Sequence, residues 1–124
     1  MSTIKVDTIK DTNNVEVYTC KAWVNFDGTQ AAADMIRDSG NVSSITDNGT
    51  GRYAINFTND MEDANYSIIV TNGSDATINS YARYGNSNAS QTTPTVSSFE
   101  VITGYTSSGR TQQDSAYVFA AVFR

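Results

Sequence analysis

Val42-Ser-Ser-Ile-Thr-Asp-Asn-Gly-Thr-Gly-Arg-Tyr-Ala-Ile-Asn-Phe57 is the stretch that decides the fold class. Two strand-like runs flank Asp47 to Gly51, where Asn and Gly residues accept the positive φ that tight hairpins demand. On the far side Tyr53, Ile55 and Phe57 alternate with Arg52, Ala54 and Asn56. A period of two marks a strand with one buried face. The sequence therefore contains at least one amphipathic β-hairpin.

The same punctuation recurs on both sides. Upstream, Ala22, Val24 and Phe26 take one face of a strand, and Lys21, Trp23 and Asn25 take the other. An outward Trp there either packs beneath a loop or covers a subunit contact. Gln30 to Asp38 carries three alanines that suit a helical turn, but the segment reads as irregular or strand-like. Downstream, strands are expected over Tyr66 to Thr71, Thr77 to Tyr84, Thr95 to Thr103 and Ser115 to Phe123. Between them lie an acidic turn (Thr58 to Asn65), the turn Asn72 to Asp75, and the polar loops Gly85 to Pro94 and Gly104 to Asp114. Short strands separated by Gly/Asn/Asp turns predict an all-β antiparallel sandwich, jelly-roll-like, over residues 21–124. Residues 1–20 read as a β-rich segment that either pairs with something else or forms an edge hairpin of the main domain: Ile4 and Val6 share a face, Asp11 to Asn14 make a turn, and Val15 to Tyr18 are extended again.

The last strand, Ala116 to Phe123, is apolar on both faces. A two-layer sandwich leaves one face of each strand wet, so that face should be polar. Either the strand lies between layers or a neighbouring subunit covers it. Subunit burial is the preferred reading, with Tyr117, Phe119 and Phe123 as the interface residues.

Composition narrows the chemistry. The 124 residues fit one core. A formal charge of -5 speaks against a nucleic-acid partner. Ser, Thr and Asn supply about a third of the chain, a neutral polar surface suited to β-structure. No apolar run is long enough to span a bilayer, and no secretory signal is recognisable at the N-terminus. The chain has no histidine, which removes the usual general base, the Ser-His-Asp and Cys-His arrangements and the usual catalytic zinc ligand. No phosphate-cradling Gly-rich motif occurs. Asp27, Asp34, Asp38 and the Asp60/Glu62/Asp63 turn could pair as glycosidase acids, but they read as turn formers and solubilising charge. The acidic turn lacks an EF-hand pattern for calcium. A non-enzymatic protein without cofactor or metal is expected. Cys20, the one cysteine, excludes an intrachain disulfide and reads as a small buried residue. For ligand recognition, aromatic rings beside hydrogen-bonding groups are the usual sugar platforms. Tyr81, Arg83, Tyr84, Tyr105 and Arg110, in or beside the two polar loops, form a candidate patch; each also has a plain reading as sheet packing or surface decoration.

Two wordings carry a resemblance: Ser2-Thr-Ile-Lys-Val-Asp-Thr-Ile9 at the start, and Lys21-Ala-Trp-Val-Asn-Phe-Asp-Gly-Thr29 taken with the hairpin. They resemble segments of virion fibre and appendage proteins of tailed bacteriophages, especially those infecting marine cyanobacteria. The resemblance covers nearly the whole chain, in two pieces that a longer shaft usually separates; that departure suggests a minimal fibre, a knob or a decoration protein. It implies a homotrimer, contact with other virion proteins through residues 1–20, and host attachment through a surface glycan. The alternative is a capsid decoration or cement protein projecting from the head, with a glycan-degrading spike domain a minor third. Either main reading implies location in the virion, made in the host cytoplasm, without insertion into a membrane.

Overall fold

In the computed structural model, residues 2–73, 79–85 and 92–124 are described. The sequence forms strands β1 (Cys20–Phe26), β2 (Ile36–Gly40), β3 (Val42–Asp47), β4 (Arg52–Phe57), β5 (Ser67–Asn72), β6 (Asn79–Tyr84), β7 (Ser98–Thr106), β8 (Arg110–Gln112) and β9 (Val118–Phe123). A single 3-10 turn, Ala32–Asp34, precedes β2. One sheet runs β2-β1-β9-β5 and the other β3-β4-β7-β6, with β8 paired to the end of β7. All the strand pairs are antiparallel. The two sheets pack face to face as a sandwich.

The hairpin forms as its residues dictate. Asp47 Oδ1 accepts the Gly49 N–H at 2.9 Å, and Gly49 and Gly51 adopt φ of 115° and 65°. Beyond the turn Tyr53, Ile55 and Phe57 are buried while Arg52, Ala54 and Asn56 are half-buried. Their partners across the core are Ala22, Val24 and Phe26 of β1 and Val118, Ala120 and Val122 of β9. Phe26 meets Tyr53 edge to face with centroids 5.2 Å apart. At the far end Phe57, Tyr66 and Phe99 form a second aromatic cluster.

The Gln30 to Asp38 segment, read as irregular or strand-like, is a short 3-10 turn followed by the start of β2. Two expectations about the sandwich need correction. Residues 104–114 are not one loop, because β7 runs on to Thr106 and turns back as β8. These residues are polar, and backbone pairing alone makes them a strand. Cys20 is exposed, not buried; its Sγ donates to Ala22 O at 3.1 Å. It occupies the first position of β1, with Phe123 opposite, beyond the reach of the core. Most of the Gly85 to Pro94 loop, the end of the Asn72 to Asp75 turn, and Thr77 and Ile78 lie outside the described residues.

Residues 2–19 join neither sheet. Their one backbone bridge links Lys10 to Glu16, closed by an Asp11-centred turn in which Oδ1 accepts the Asn13 and Val15 N–H groups. The expected turn is there, but the expected strands on either side are not: residues 2–19 form no strand, only this one bridge, because the apolar side chains have nothing to pack on, with Ile4 89% exposed and Val6, Ile9, Val15, Val17 and Tyr18 exposed too.

Candidate functional sites: an apolar sheet face and a polar cleft

Two features stand out, and both follow from strand alternation. The first is the outer face of the β2-β1-β9-β5 sheet. Cross-strand register places Trp23 of β1, Ala121 of β9 and Ile69 of β5 in one row. Phe119 lies in the next row between Asn25 and Thr71, and Phe123 in the previous row between Cys20 and Ser67. Trp23 is 41%, Ile69 59%, Phe119 37% and Phe123 36% exposed. Because β9 is central in its sheet, these side chains form one connected apolar surface rather than scattered residues. Gly40 faces Trp23 in β2. A Cβ at Gly40 would collide with the pyrrole edge of the Trp23 indole, so the indole covers the bare β2 backbone at Gly40.

Tyr117 continues this face at its end, 55% exposed. The Arg37 guanidinium lies 4.3 Å from its ring centroid. Arg37 reaches it because β2 is irregular there: Asn25 pairs with Asp38 and Phe26 with Ile36, which leaves Arg37 as the extra residue. Arg37 Nη2 also bonds Asp27 Oδ2 at 3.1 Å. The Thr29 hydroxyl and N–H, donating to Asp27 Oδ1, hold that carboxyl below its ordinary pKa, with Gln30 and Arg37 assisting. All three predicted interface residues, Tyr117, Phe119 and Phe123, thus lie on one exposed face.

The second feature is a cleft of about 360 Å³ at the end of the sandwich where the inner faces turn polar. Along β5, Ile68 and Val70 point inward and Asn72 occupies the next inward position, opposite Val118. On β7, Phe99 and Val101 give way to buried Thr103, whose neighbour on β6 is Ala82, with Ser80 one step further on the same face. The cleft lies between Asn72, Ser80, Thr29 and the segment Gln113 to Tyr117.

That segment is bolted to both sheets. Thr103 Oγ1 donates to Gln113 O at 2.6 Å, Gly28 N to Ser115 O at 2.8 Å, and Gly73 N to Tyr117 O at 2.9 Å. Asp114 Oδ1 accepts the Gly51 N–H and the Tyr53 hydroxyl, each at 2.7 Å. Burial first, and the Asp114 carboxylate second, push the Tyr53 phenol well above its ordinary pKa, so it stays a donor. In contrast, the Asn72 Nδ2 is buried with no hydrogen-bond partner.

The five candidate recognition residues are dispersed. Tyr81 and Arg83 share the outer face of the second sheet, with the guanidinium 5.7 Å from the ring centroid. Tyr84 packs against the core, and its hydroxyl donates to Thr92 O. Tyr105 lies opposite Ser80, on the face that carries the cleft, and Arg110 is exposed at the β7–β8 hairpin. Of the candidate acids, Asp63 is engaged by Arg124, whose Nε lies 3.0 Å from Asp63 Oδ1; Glu62 sits 3.4 Å from Arg124 Nη1. No group of three acidic or thiol ligands suited to a metal ion occurs among the described residues, and no described helix is long and apolar enough to cross a membrane.

The chain matches no family model, no curated protein and no solved structure.

Proposed function

We propose that this chain is a structural protein of a tailed-phage virion, a tail-fibre-type adhesin that assembles as a homotrimer and binds a host surface glycan. The observation that carries this reading is the apolar outer face of β1, β9 and β5. The surface holds an indole, two phenyl rings and an isoleucine, each a third to three-fifths exposed, and covering it gains a matching part of the about 1.5–3 kcal/mol that full burial of such a side chain is worth. Sister copies of the same chain supply a matching surface, and closed cyclic symmetry covers it in every copy. Residues 2–19 support the virion part of the reading: an uncovered segment that exposes Ile4, Val6, Ile9, Val15, Val17 and Tyr18 outside both sheets is suited to gripping another virion protein.

Light scattering on the purified protein and on Phe119→Asp tests the assembly. The expected result is a trimer mass for the parent and a folded monomer for the variant. A parent that runs as a monomer, or a variant that keeps the trimer mass, overturns the assembly. Reconstruction of the particle tests the placement. Copies at the tail support adhesion, whereas copies on the capsid lattice replace it with a cement role in which residues 1–20 clamp the shell.

A further inference from the structure

We propose that the polar cleft between Asn72, Ser80 and the Gln113–Tyr117 segment is the sugar subsite of this protein, and that its ligand is a neutral saccharide. The inference takes its sugar source, a host glycan, from the adhesin reading above; the site itself stands on the geometry.

Asn72 is out of place in its strand. Alternation along β5 assigns its position to the interior, where Ile68 and Val70 precede it, yet the residue is an amide whose nitrogen is buried and unpartnered. A buried donor without an acceptor is destabilising, and native structures keep few of them. Asn72 lines the cleft, and a turn of its amide toward the opening would give that nitrogen an acceptor. The lining fixes the chemistry of the acceptor. Among the described residues Thr29, Ser80 and Ser115 bring hydroxyls, Gln113 a second amide and Asp114 a carboxylate, and none of the described lining residues is Lys or Arg. A phosphate, sulfate or acidic sugar would meet Asp114 and a chain of net charge -5 with no described lining cation to pair with. A metal ion would find one carboxylate among the described lining residues. A polyol matches the set, since each hydroxyl both donates and accepts.

The volume of about 360 Å³ lies at the small end of ligand sites and accommodates a mono- or disaccharide. The site is also preorganised. The 113–117 backbone is tied to Thr103, Gly28 and Gly73, and Asp114 to Tyr53 and Gly51, so little loop entropy is lost on binding.

The experiment is an amide-resolved NMR titration of the intact protein with glucose, galactose, mannose and N-acetylglucosamine at millimolar concentrations, repeated on Asn72→Ala, Gln113→Ala and Arg83→Ala. At least one sugar should shift the amides of Asn72, Gly73 and 113–117 in a saturable way. Asn72→Ala and Gln113→Ala should each weaken binding about tenfold or more, the equivalent of one hydrogen bond of about 1.4 kcal/mol, while Arg83→Ala binds normally. Asn72→Ala should keep the parent melting temperature, because it deletes a donor that bonds nothing in the unliganded protein. If it melts early, Gln113→Ala decides alone, since the backbone groups of Gln113, not its amide, tie it to Thr103. No saturable shift in this cluster with any of the four sugars overturns the proposal, as does unchanged affinity in Gln113→Ala. Adherence of the protein to host cells separates the two readings. Adherence that survives both variants retains the adhesin and sinks the cleft; sugar binding in the cleft without adherence does the reverse.

Discussion

Tyr53 illustrates how single residues join the layers. Alternation in β4 sends it inward, where its ring packs on Phe26 while its hydroxyl reaches Asp114 at 2.7 Å and Gly28 O at 3.2 Å. Tyr53→Phe keeps the ring and removes one donor from Asp114, which is exposed and still accepts the Gly51 N–H, so we expect a loss of about 0.5–1.5 kcal/mol in urea unfolding, the range for an ordinary hydrogen bond. The glycines of the neighbouring turn separate two effects. Gly49 and Gly51 both have positive φ, but a Cβ at Gly49 meets nothing, whereas one at Gly51 would lie 2.4 Å from Thr103 O. Gly49→Ala should therefore cost about 1–2 kcal/mol of backbone strain, and Gly51→Ala clearly more in the same assay, because the β7 backbone must move as well. The inward direction of Tyr53 was legible from its spacing to Ile55 and Phe57. Its partner was not, since Asp114 is 61 positions away and only tertiary packing brings it near.

At the scale of elements, β9 has two faces with two fates. Val118, Ala120 and Val122 lie in the core, and Phe119 and Phe123 on the open face. Val122→Asp should abolish the cooperative melt, because an unpaired buried charge costs several kcal/mol, whereas Phe119→Asp should melt cooperatively as a monomer. Circular dichroism on the pair checks the contrast. This doubled apolarity was plain in the sequence, as was the hairpin, because both are written in residues that neighbour one another. β8 was hidden because Arg110 to Gln112 has no apolar alternation and pairs through its backbone. The cleft was hidden because five separate segments build it. One signal pointed there: Asn72 and Thr103 are polar residues in the inward register of otherwise apolar strands. The dispersal of Tyr81, Arg83 and Tyr84 was also readable, since the odd and even positions of β6 face opposite sides.

For the whole molecule, titration sets the limits of stability. Burial, with the nearby Tyr84 phenol second, pushes Tyr66 up to about 12. An unfolded tyrosine ionises near 10, so between about pH 10 and 12 the unfolded chain binds fewer protons than the folded one, and stability falls as pH rises. The contribution is whole below pH 10. Melting temperature should drop across that window, and Tyr66→Phe should flatten the slope. At the acid end, the hydrogen bond from Arg124, with the Asn65 N–H assisting, lowers Asp63 to about 2. That contribution is whole above about pH 4 and is lost as pH falls through about 2. Arg124→Ala should return Asp63 toward the ordinary carboxylate range, observable by carbon-detected NMR of the side chain.

The Trp23 indole has a practical consequence. It is the one tryptophan in the chain, seated on the bare backbone of Gly40 with its opposite side turned to solvent. If the proposed trimer forms over this face, the indole emission gauges the association: long-wavelength and readily quenched by iodide in a dilute sample, blue-shifted and shielded once sister chains close over it. A dilution series read in a fluorimeter tests the proposed assembly without any attached dye.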